Sequence, residues 1–515
     1  MFSLVKSMSL EGLNGYLVEV QSDVSGGLPS FDIVGLPDTR VKEAKERVKA
    51  AIKNSGIDFP SRKIIINLAP ADIRKEGTFF DLPMAIGILI AIEELDKTTL
   101  KDFEKTIFLG ELSLDGKINS INGVLPMCIE AMKLGIKKVI IPKENEVEAS
   151  IIKGIDIIPV TNLLDVINYI KGKKVINKNN SLNNFNLENE NKYMVDFSEV
   201  KGQENAKRAL EIAAAGGHNC LLIGSPGSGK TMLSERLITI LPDLTFEEAL
   251  EITKIHSISG EIEKGGGLRT IRPFRRPHHT SSPVSIIGGG RIPKPGEISL
   301  AHFGVLFLDE LPEFKKSTLE VLRGPLEDGN VTISRVNSTL TYPCNFMLIA
   351  SMNPCPCGYY GTDDSKCNCK ESSIQKYIGQ VSGPLLDRID LHIEVKPVEY
   401  KKVSSDEKVE SSSEIKKRVN NARKIQLERY KGLNIYSNSE LTPNLIEQYC
   451  KLDKNSKIIL EMAFEKLGLS GRAYGRILKV ARTIADLDSS EKIEQKHVAE
   501  AIQYRNLDRK YWKRG

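Results

Sequence analysis

The pattern of apolar and polar positions divides the chain into three structured segments separated by two polar stretches. Residues 173–194 have the sequence KKVINKNNSLNNFNLENENKYM, in which eight of 22 residues are Asn and apolar periodicity is nearly absent. Residues 401–413 (KKVSSDEKVESSS) contain five Ser. Both compositions are typical of solvated linkers. We therefore predict domains at 1–172, 195–400 and 414–515.

The second and third segments differ in their apolar period. Between residues 195 and 400, short apolar runs such as CLLIG, VLFLDE, FMLIASMN and DLHIEV alternate with helical stretches. That alternation is typical of a parallel sheet covered by helices. After residue 413 apolar positions recur every 3.6 residues, as in RAYGRILKVARTIADL, which predicts helices. The expected fold class is α/β, with a helical domain at the end of the chain.

Length and charge narrow the classes of function. The 515 residues suffice for three or four domains at ~150 residues each. The 72 Lys and Arg exceed the 67 Asp and Glu by only five, which is too few for a protein that binds polyanions over its whole surface. Any nucleic-acid surface must therefore be local. The longest apolar run near the beginning, Met84 to Ile92, has nine residues and is too short to span a membrane. We expect a cytoplasmic protein with no membrane partner.

A Gly-rich motif lies between a strand-like apolar run and a helical one. It has the sequence GSPGSGKT and comprises Gly224, Ser225, Pro226, Gly227, Ser228, Gly229, Lys230 and Thr231. In this context successive backbone N–H groups wrap phosphates, the Lys neutralises the terminal ones and the Thr hydroxyl ligates magnesium. The motif predicts a site for ATP and Mg²⁺. The alternative is a Gly-rich turn without a ligand.

Two further strand-like apolar runs are each followed directly by polar residues. VLFLDE ends in Asp309 and Glu310, and FMLIASMN ends in Asn353. In a P-loop ATPase the first acid binds magnesium through water and the second polarises the attacking water. Asn353 is expected beside them, where its amide can hold the lytic water or the γ-phosphate. A simple turn residue at Asn-Pro is the alternative for Asn353.

Five motifs together resemble the magnesium-chelatase-like AAA+ ATPases, and among them the ComM/YifB family. They are GSPGSGKT, LFLDE, SMNPCPCG, SGPLLDRIDLHIEV and SGRAYGRILKVARTIADL, and the resemblance extends over essentially the whole chain. It implies an AAA+ P-loop core with a helical lid, assembled into a homo-oligomeric ring that is expected to be a hexamer. It also implies a motor on single-stranded or branched DNA, acting in branch migration during natural transformation or recombination. The alternative is a chaperone-like or magnesium-chelatase-like ATPase that remodels proteins.

The same resemblance suggests roles for two arginines. Arg388 in LLDRIDL resembles the arginine finger supplied to the next subunit, and Arg472 in SGRAY resembles the second sensor of the lid. A guanidinium fork suits the charge that spreads over a transferring phosphoryl group. The alternatives are a surface ion pair for Arg388 and a solvated basic stripe on a helix for Arg472.

Residues 1–172 resemble the C-terminal proteolytic domain of Lon, most clearly in GELSLDGKINSINGV and AMKLGIKKVIIPKEN. Lon uses a Ser activated by a Lys. Here Phe79 stands where the serine would be, and Leu125 falls about where the lysine would be. Neither supplies a nucleophile or a base, so we expect a non-proteolytic scaffold or interaction domain. Thr78 is the one nearby hydroxyl that could act instead.

Four of the eight cysteines lie within one short loop, as Cys355, Cys357, Cys367 and Cys369. Tetrahedral zinc accepts four thiolates, and a closed Cys₄ site is structural because it leaves no open position for water. The C-x-C spacing is less common than C-x-x-C, so free thiols in a reducing compartment remain the alternative. We expect a structural Zn²⁺.

A basic insert lies between the two nucleotide motifs. Lys264 to Lys294 contains seven Lys or Arg and no acid, and its Arg275 and Arg276 are candidates for contacts with DNA phosphates. Residues 330–343 predict a β-hairpin that carries Arg335 near its tip. In similar ring ATPases such a hairpin points into the pore, so Arg335 is a third candidate for DNA contact. A hairpin that only packs on a neighbour is the alternative.

Overall fold

The computed structural model describes residues 1–99, 101–176, 195–290, 293–335, 338–361, 367–398, 409–467, 470–507 and 511–512. Its strands are β1 (Phe2–Glu11), β2 (Asn14–Ser25), β3 (Ser30–Val34), β4 (Lys63–Ala69), β5 (Thr106–Phe108), β6 (Glu111–Leu112), β7 (Ile118–Asn119), β8 (Lys138–Pro142), β9 (Asp156–Val160), β10 (Cys220–Ile223), β11 (Phe274–Arg275), β12 (Gly288–Gly289), β13 (Lys294–Pro295), β14 (Val305–Leu308), β15 (Asn330–Arg335), β16 (Ser338–Pro343), β17 (Met347–Met352) and β18 (Leu391–Glu394).

The α-helices are α1 (Thr39–Asn54), α2 (Asp81–Ala91), α3 (Val124–Lys133), α4 (Glu146–Ala149), α5 (Leu163–Ile170), α6 (Glu204–Gly216), α7 (Lys230–Arg236), α8 (Phe246–Ser259), α9 (Pro283–Ile287), α10 (Glu297–Leu300), α11 (Lys316–Glu320), α12 (Pro325–Asp328), α13 (Glu371–Ile378), α14 (Gly383–Leu386), α15 (Ser412–Arg429), α16 (Pro443–Tyr449), α17 (Lys454–Leu467), α18 (Gly471–Leu487) and α19 (Gln495–Gln503). Among the described residues, no helix combines the length and the hydropathy needed to cross a bilayer.

The chain forms two compact units. The first contains the described residues of 1–186 together with 246–269, and the second contains those of 187–245 together with 270–515. The segment 195–400, which the sequence pattern predicts as one domain, is therefore divided between the two units. The predicted linker 173–194 lies mostly outside the described residues, and so does most of the second linker.

The first unit is built on a mixed sheet of seven strands in the order β3-β4-β2-β1-β5-β8-β9. β1 and β2 form a long antiparallel hairpin, from Phe2 opposite Asp23 to Glu11 opposite Asn14. β2 also pairs antiparallel with β4, and the other pairs of this sheet are parallel. Helix α2 is apolar and buried along almost its whole length, because it packs against β1 and β2 in the centre of the core.

Helix α8 belongs to the first unit through specific contacts. It packs on α3, the Ser257 hydroxyl donates a hydrogen bond to the buried Glu148 carboxylate, and the Ser257 carbonyl accepts one from the Gly123 N–H. Glu148 also accepts from the Leu125 N–H at 3.0 Å. These bonds satisfy a buried carboxylate that would otherwise be costly to desolvate.

The second unit is built on five parallel strands in the order β11-β14-β17-β10-β18. The residues of β10, β14 and β17 are all buried, which explains why these runs are continuously apolar rather than alternating. The predicted α/β class with a parallel sheet is confirmed. Parallel pairing also brings the carboxyl ends of β10, β14 and β17 to one edge of the sheet.

Helices α15 to α19 follow the sheet, as the 3.6-residue period after residue 413 predicts. Helices α15 and α18 pack on α6 and are joined by a buried ionic network. Asp486 is 1% exposed and accepts hydrogen bonds from Arg429 at 2.9 Å, Arg482 at 3.1 Å and the Asn438 amide at 2.9 Å. One carboxylate therefore holds three elements together.

We expect Asp486→Ala to destabilise the second unit by about 3–5 kcal/mol, because it leaves the buried Arg482 and the partly buried Arg429 guanidinium groups without their carboxylate. The urea midpoint followed by the fluorescence of the single Trp, Trp512, reports this unit. The exposed Glu465→Ala is the matched control, with a change within about 0.5 kcal/mol. Equal midpoints for the two variants would show that the network contributes nothing.

Candidate nucleotide site

The Gly-rich loop 224–229 connects the carboxyl end of β10 to the first residue of α7, Lys230. Two glycines are required by the backbone. Gly229 has φ of 91°, a conformation that costs other residues conformational energy. A Cβ on Gly224 would lie 2.2 Å from the carbonyl oxygen of Val395. The tight loop therefore depends on these residues having no side chain.

Lys230 connects this loop to the neighbouring strand end. Its Nζ donates to the carbonyl oxygens of Gly224 at 2.8 Å and Ser225 at 2.9 Å, and to Asn353 Oδ1 at 3.1 Å. Burial lowers the pKa of Lys230, while the nearby Asp309 and Glu310 act in the opposite direction. The ammonium group therefore lies between the loop and the end of β17, where phosphate oxygens could replace the carbonyls as acceptors.

Two hydroxyl groups in the loop also suit a phosphate ligand. The Oγ atoms of Ser225 and Ser228 are buried and make no hydrogen bond within the described chain. Buried polar groups normally have a partner. A phosphate oxygen would satisfy such donors, so the loop fits the ligand that its sequence predicts.

The acids at the end of β14 face this loop. Thr231 Oγ1 donates to Asp309 Oδ2 at 3.2 Å, and the Ser351 hydroxyl donates to Asp309 Oδ1. Glu310 has φ of 53° and its side chain is 59% exposed. The turn therefore directs Asp309 toward the Thr hydroxyl and leaves the Glu310 carboxylate open to water. The structure brings together all five side chains predicted here: Lys230, Thr231, Asp309, Glu310 and Asn353.

Arg276 also lies at this edge, although the sequence predicts it as a DNA contact. It follows β11, which pairs in parallel with β14, so its side chain emerges beside Asp309. Its guanidinium donates to Asp309 Oδ2 at 2.7 Å and to Glu235 Oε1 on α7 at 2.7 Å. Three residues further, His279 Nδ1 lies 3.8 Å from Glu310 Oε2. β11, the outermost strand of the sheet, has only two residues and so shows no periodicity in the sequence. The positions of Arg276 and His279 beside the two acids could therefore not be predicted.

Arg275, the other predicted DNA contact of the insert, also has a carboxylate partner. Its Nε and Nη2 atoms lie 2.7 and 3.1 Å from the two carboxylate oxygens of Glu297. This bidentate pair neutralises the charge of Arg275 within the chain.

The opposite edge of the sheet carries Arg388 and Arg472. Both line a cavity of about 1060 Å³ at the amino ends of β10, β17 and β18. Arg388 is buried, forms an ion pair with Glu327 and donates to the carbonyl of Pro384 at 2.8 Å. Arg472, near the beginning of α18, is exposed. The two arginines thus share one cavity, at the end of the strands opposite to the Gly-rich loop.

A buried acid fixes the wall of this cavity. Asp390 pairs with Arg476, accepts from the Asn219 N–H at 3.0 Å and lies 3.4 Å from His218 Nδ1. Burial would raise the pKa of Asp390, but Arg476 and His218 together hold it well below its ordinary range. Ionised Asp390 therefore stabilises the folded state at every pH above its unfolded pKa of about 3.9. This contribution to the free energy of unfolding is lost only under strongly acidic conditions, where the folded-state carboxylate takes up a proton.

The four clustered cysteines follow Asn353 directly. Their sulfur atoms all lie within 4.8 Å of one another. Cys355 Sγ is 3.3 Å from Cys357 Sγ and 3.8 Å from Cys367 Sγ. The sulfurs of Cys357 and Cys367 are 3.6 Å apart. The Tyr359 N–H lowers the pKa of the Cys357 thiol to about 7. Cys369 completes the group, which can hold one tetrahedral metal ion.

The segment 330–343 forms the predicted hairpin, with β15 paired to β16 from Asn330 opposite Pro343 to Arg335 opposite Ser338. Residues 336–337, between the two strands, lie outside the described residues. The hairpin packs on the turn made by β12 and β13, because Tyr342 donates to the carbonyl of Pro293 at 2.9 Å. Arg335 is exposed, and its guanidinium lies against Gly289. Lys294, opposite Gly289 in the second hairpin, is exposed as well.

In the first unit, the positions compared with the Lon dyad are apolar and buried. Phe79 packs on Phe80 with ring centroids 4.6 Å apart, and Leu125 is fully buried. The Thr78 hydroxyl donates to Glu111, which is a carboxylate rather than a Lys. The structure therefore brings no Ser and Lys pair to these positions.

Models of one protein family match three parts of the chain. The model described as "Magnesium chelatase, subunit ChlI" matches residues 196–403, "Subunit ChlI of Mg-chelatase" matches 20–145, and "Magnesium chelatase, subunit ChlI C-terminal" matches 409–505. These matches include both the nucleotide site and the helices that follow it.

Curated relatives resemble the chain over its full length. It is 44% identical over 509 residues to the uncharacterized protein YifB of Escherichia coli, covering 98% of this chain and 97% of that protein. It is 43% identical over 510 residues to competence protein ComM of Haemophilus influenzae, covering 98% of each. Similarity to the magnesium-chelatase 67 kDa subunit of Chlorobaculum parvum is 27% over 168 residues, covering 31% of this chain and 24% of that protein. The chain therefore belongs to the ComM/YifB family of magnesium-chelatase-like AAA+ ATPases.

Proposed function

We propose that the protein is an ATP-hydrolysing ring motor that acts on single-stranded or branched DNA. The observation that carries the ATPase part is the convergence of Lys230, Thr231, Asp309, Glu310 and Asn353 at one sheet edge. The DNA part is supported by the full-length similarity to a relative named a competence protein and by exposed cations on two packed hairpins. Branch migration during natural transformation or recombination is the activity that this combination favours.

Each residue of the site has a distinct role in hydrolysis. Lys230 and the N–H groups of the loop bind the phosphates. Thr231 and Asp309 would hold Mg²⁺, which would supply positive charge to offset the charge that develops on the transferring phosphoryl group. Glu310 accepts the proton of the attacking water, because its carboxylate is exposed beside Asp309. The Asn353 amide, held by Lys230, orients that water or the terminal phosphate.

Arg388 and Arg472 are proposed to serve the nucleotide of a neighbouring subunit. Both line a cavity at the amino ends of the strands, whereas the Gly-rich loop lies at the carboxyl ends. A four-residue strand spans about 13 Å, so the body of the sheet lies between these arginines and their own loop. A homo-oligomeric ring, which we propose to be a hexamer, brings the two edges together. Arg388 must then exchange Glu327 for the neighbour's phosphate.

The cysteine cluster is proposed to hold one structural Zn²⁺. With Zn–S bonds of about 2.3 Å, a tetrahedral site separates its sulfurs by about 3.8 Å. Among Cys355, Cys357 and Cys367 the sulfur–sulfur distances are 3.3 to 3.8 Å, near that value, and all four sulfurs lie within 4.8 Å of one another. The site would stabilise the loop that follows Asn353, and so hold the end of β17 in place.

DNA contact is proposed for Arg335 together with Lys294. Both are exposed, and they lie on adjacent hairpins that pack together. Arg275 and Arg276, the other two candidates for DNA contact, are paired with carboxylates and give this proposal little support. The cationic surface is therefore smaller than the sequence suggested.

The first prediction from this proposal concerns the arginine finger. Arg388→Ala should lower ATP turnover by about 10³ or more while nucleotide binding is retained, because the binding site lies in another subunit. Mixing this variant with Glu310→Gln subunits should partly restore turnover, since the Arg388→Ala chain supplies Glu310 and the other chain supplies the finger.

The control for mixing is a subunit with both substitutions, which supplies neither group and should restore nothing. If the mixture of single variants is as inactive as this control and Arg388→Ala also abolishes nucleotide binding, the role in a neighbouring site is wrong.

The second prediction concerns the metal. Protein purified without chelator should contain about one zinc per chain, and Cys355→Ser with Cys357→Ser should remove it. Metal analysis by mass spectrometry measures the content. Cys128→Ala, a buried thiol in the first unit, is the control and should keep the zinc. A folded wild type without zinc would contradict the site.

The third prediction concerns DNA. Wild-type ATPase activity should increase with single-stranded or branched DNA. Replacing Lys294 and Arg335 by Ala should weaken DNA binding and reduce its salt dependence by about one unit of slope per lost phosphate contact. Arg275→Ala is the comparison and should change the slope little, because Glu297 already neutralises that charge.

Fluorescence anisotropy across a salt series, with ATPase and branch-migration assays in parallel, measures these effects. A wild type whose ATPase rate is indifferent to every DNA and that binds none at low salt would exclude the DNA motor. The protein-remodelling ATPase would then be the better account.

A further inference from the structure

The side chain of Arg276 occupies a central place in the nucleotide site. Its Nη2 donates to Asp309 Oδ2 at 2.7 Å and its Nη1 to Glu235 Oε1 at 2.7 Å. The guanidinium lies 5.3 Å from the centroid of the Phe307 ring, so an aromatic face supports it from one side. With 43% of the side chain exposed, it also has open space into which it can move.

Arg276 and Thr231, the proposed metal ligand, donate to the same oxygen atom of Asp309. Thr231 Oγ1 donates to the same Asp309 oxygen at 3.2 Å. The other oxygen of Asp309 accepts from Ser351. A guanidinium bonded to Oδ2 therefore neutralises the carboxylate at the atom that faces Thr231, and it repels any other cation that approaches this oxygen.

The backbone around Arg276 is held in place. β11 pairs with β14 through Phe274 opposite Val305 and Arg275 opposite Leu306, and the Arg275 side chain is bound to Glu297. Movement can therefore be confined to the Arg276 side chain. Glu235 lies on α7 and takes no part in the hydrogen bond between Thr231 and Asp309. It therefore remains a partner for the Arg276 guanidinium when that group leaves Asp309.

We propose that Arg276 is a positioning residue of the nucleotide site: it occupies the place of the metal ion on Asp309 until Mg²⁺ with nucleotide displaces it. This inference rests on the proposed nucleotide site. It means that the chain keeps Asp309 neutralised and oriented between nucleotides. The entering metal must compete with a cation that is built into the protein.

The test is a titration with Mn²⁺ in place of Mg²⁺ at saturating ADP, with free Mn²⁺ measured by electron paramagnetic resonance on the full chain. Arg276→Ala should lower the half-saturating Mn²⁺ concentration by about two- to fivefold, the effect of losing a partly exposed ion pair. Arg276→Gln should shift it in the same direction, and Arg276→Lys, which retains the charge, should lie between these variants and the wild type.

Arg323→Ala is the matched control, because it also removes one cation from a partly exposed ion pair, with Glu320. Its titration should equal that of the wild type. The thermal unfolding midpoint of each variant establishes that it is folded. A variant that merely loosened the sheet edge would raise the half-saturating concentration rather than lower it.

Two results would overturn the inference, and they differ. If the wild type binds ADP and Mn²⁺ but Arg276→Ala and Arg276→Gln leave the midpoint unchanged or raise it, Arg276 does not compete with the metal. If the wild type binds no ADP at any Mn²⁺ concentration, the proposed nucleotide site fails and this inference fails with it.

Discussion

The polarity of the parallel sheet is the constraint on which the second unit depends. Because neighbouring strands run in the same direction, their carboxyl ends meet at one edge and their amino ends at the other. The first edge collects the Gly-rich loop, Asp309, Glu310 and Asn353. The second collects Arg388 and Arg472. A single chain therefore has these two groups of side chains at opposite ends of its strands, and the proposed ring would bring them together through different subunits.

Three arginines at the two ends of the strands of this sheet are held by carboxylates. Arg276 is bound to Asp309, Arg388 to Glu327 and Arg476 to Asp390. The first two pairs are partly exposed, so water screens them and a ligand with higher charge can replace one member. The third is buried and holds the wall of the cavity.

Much of the nucleotide site could be predicted because its residues lie in short motifs that each include their own structural context. A buried strand followed by GSPGSGKT contains the strand, the turn and the beginning of the helix, and VLFLDE contains a strand with the acids at its end. The neighbours of Asp309 could not be predicted in this way. Arg276 follows a strand of two residues, and Glu235 lies on another element. Their contact depends on the pairing of β11 with β14.

The sequence by itself determined the α/β class, the helical end of the chain, the Gly-rich loop and the cysteine cluster, because each depends on residues close together along the chain. Only the tertiary structure decided that α8 joins the first unit, that Arg388 and Arg472 share a cavity away from the loop, and that Arg276 binds Asp309. Each of these depends on contacts between residues far apart in sequence. Their free energy comes from burial and charge pairing, which local periodicity does not encode.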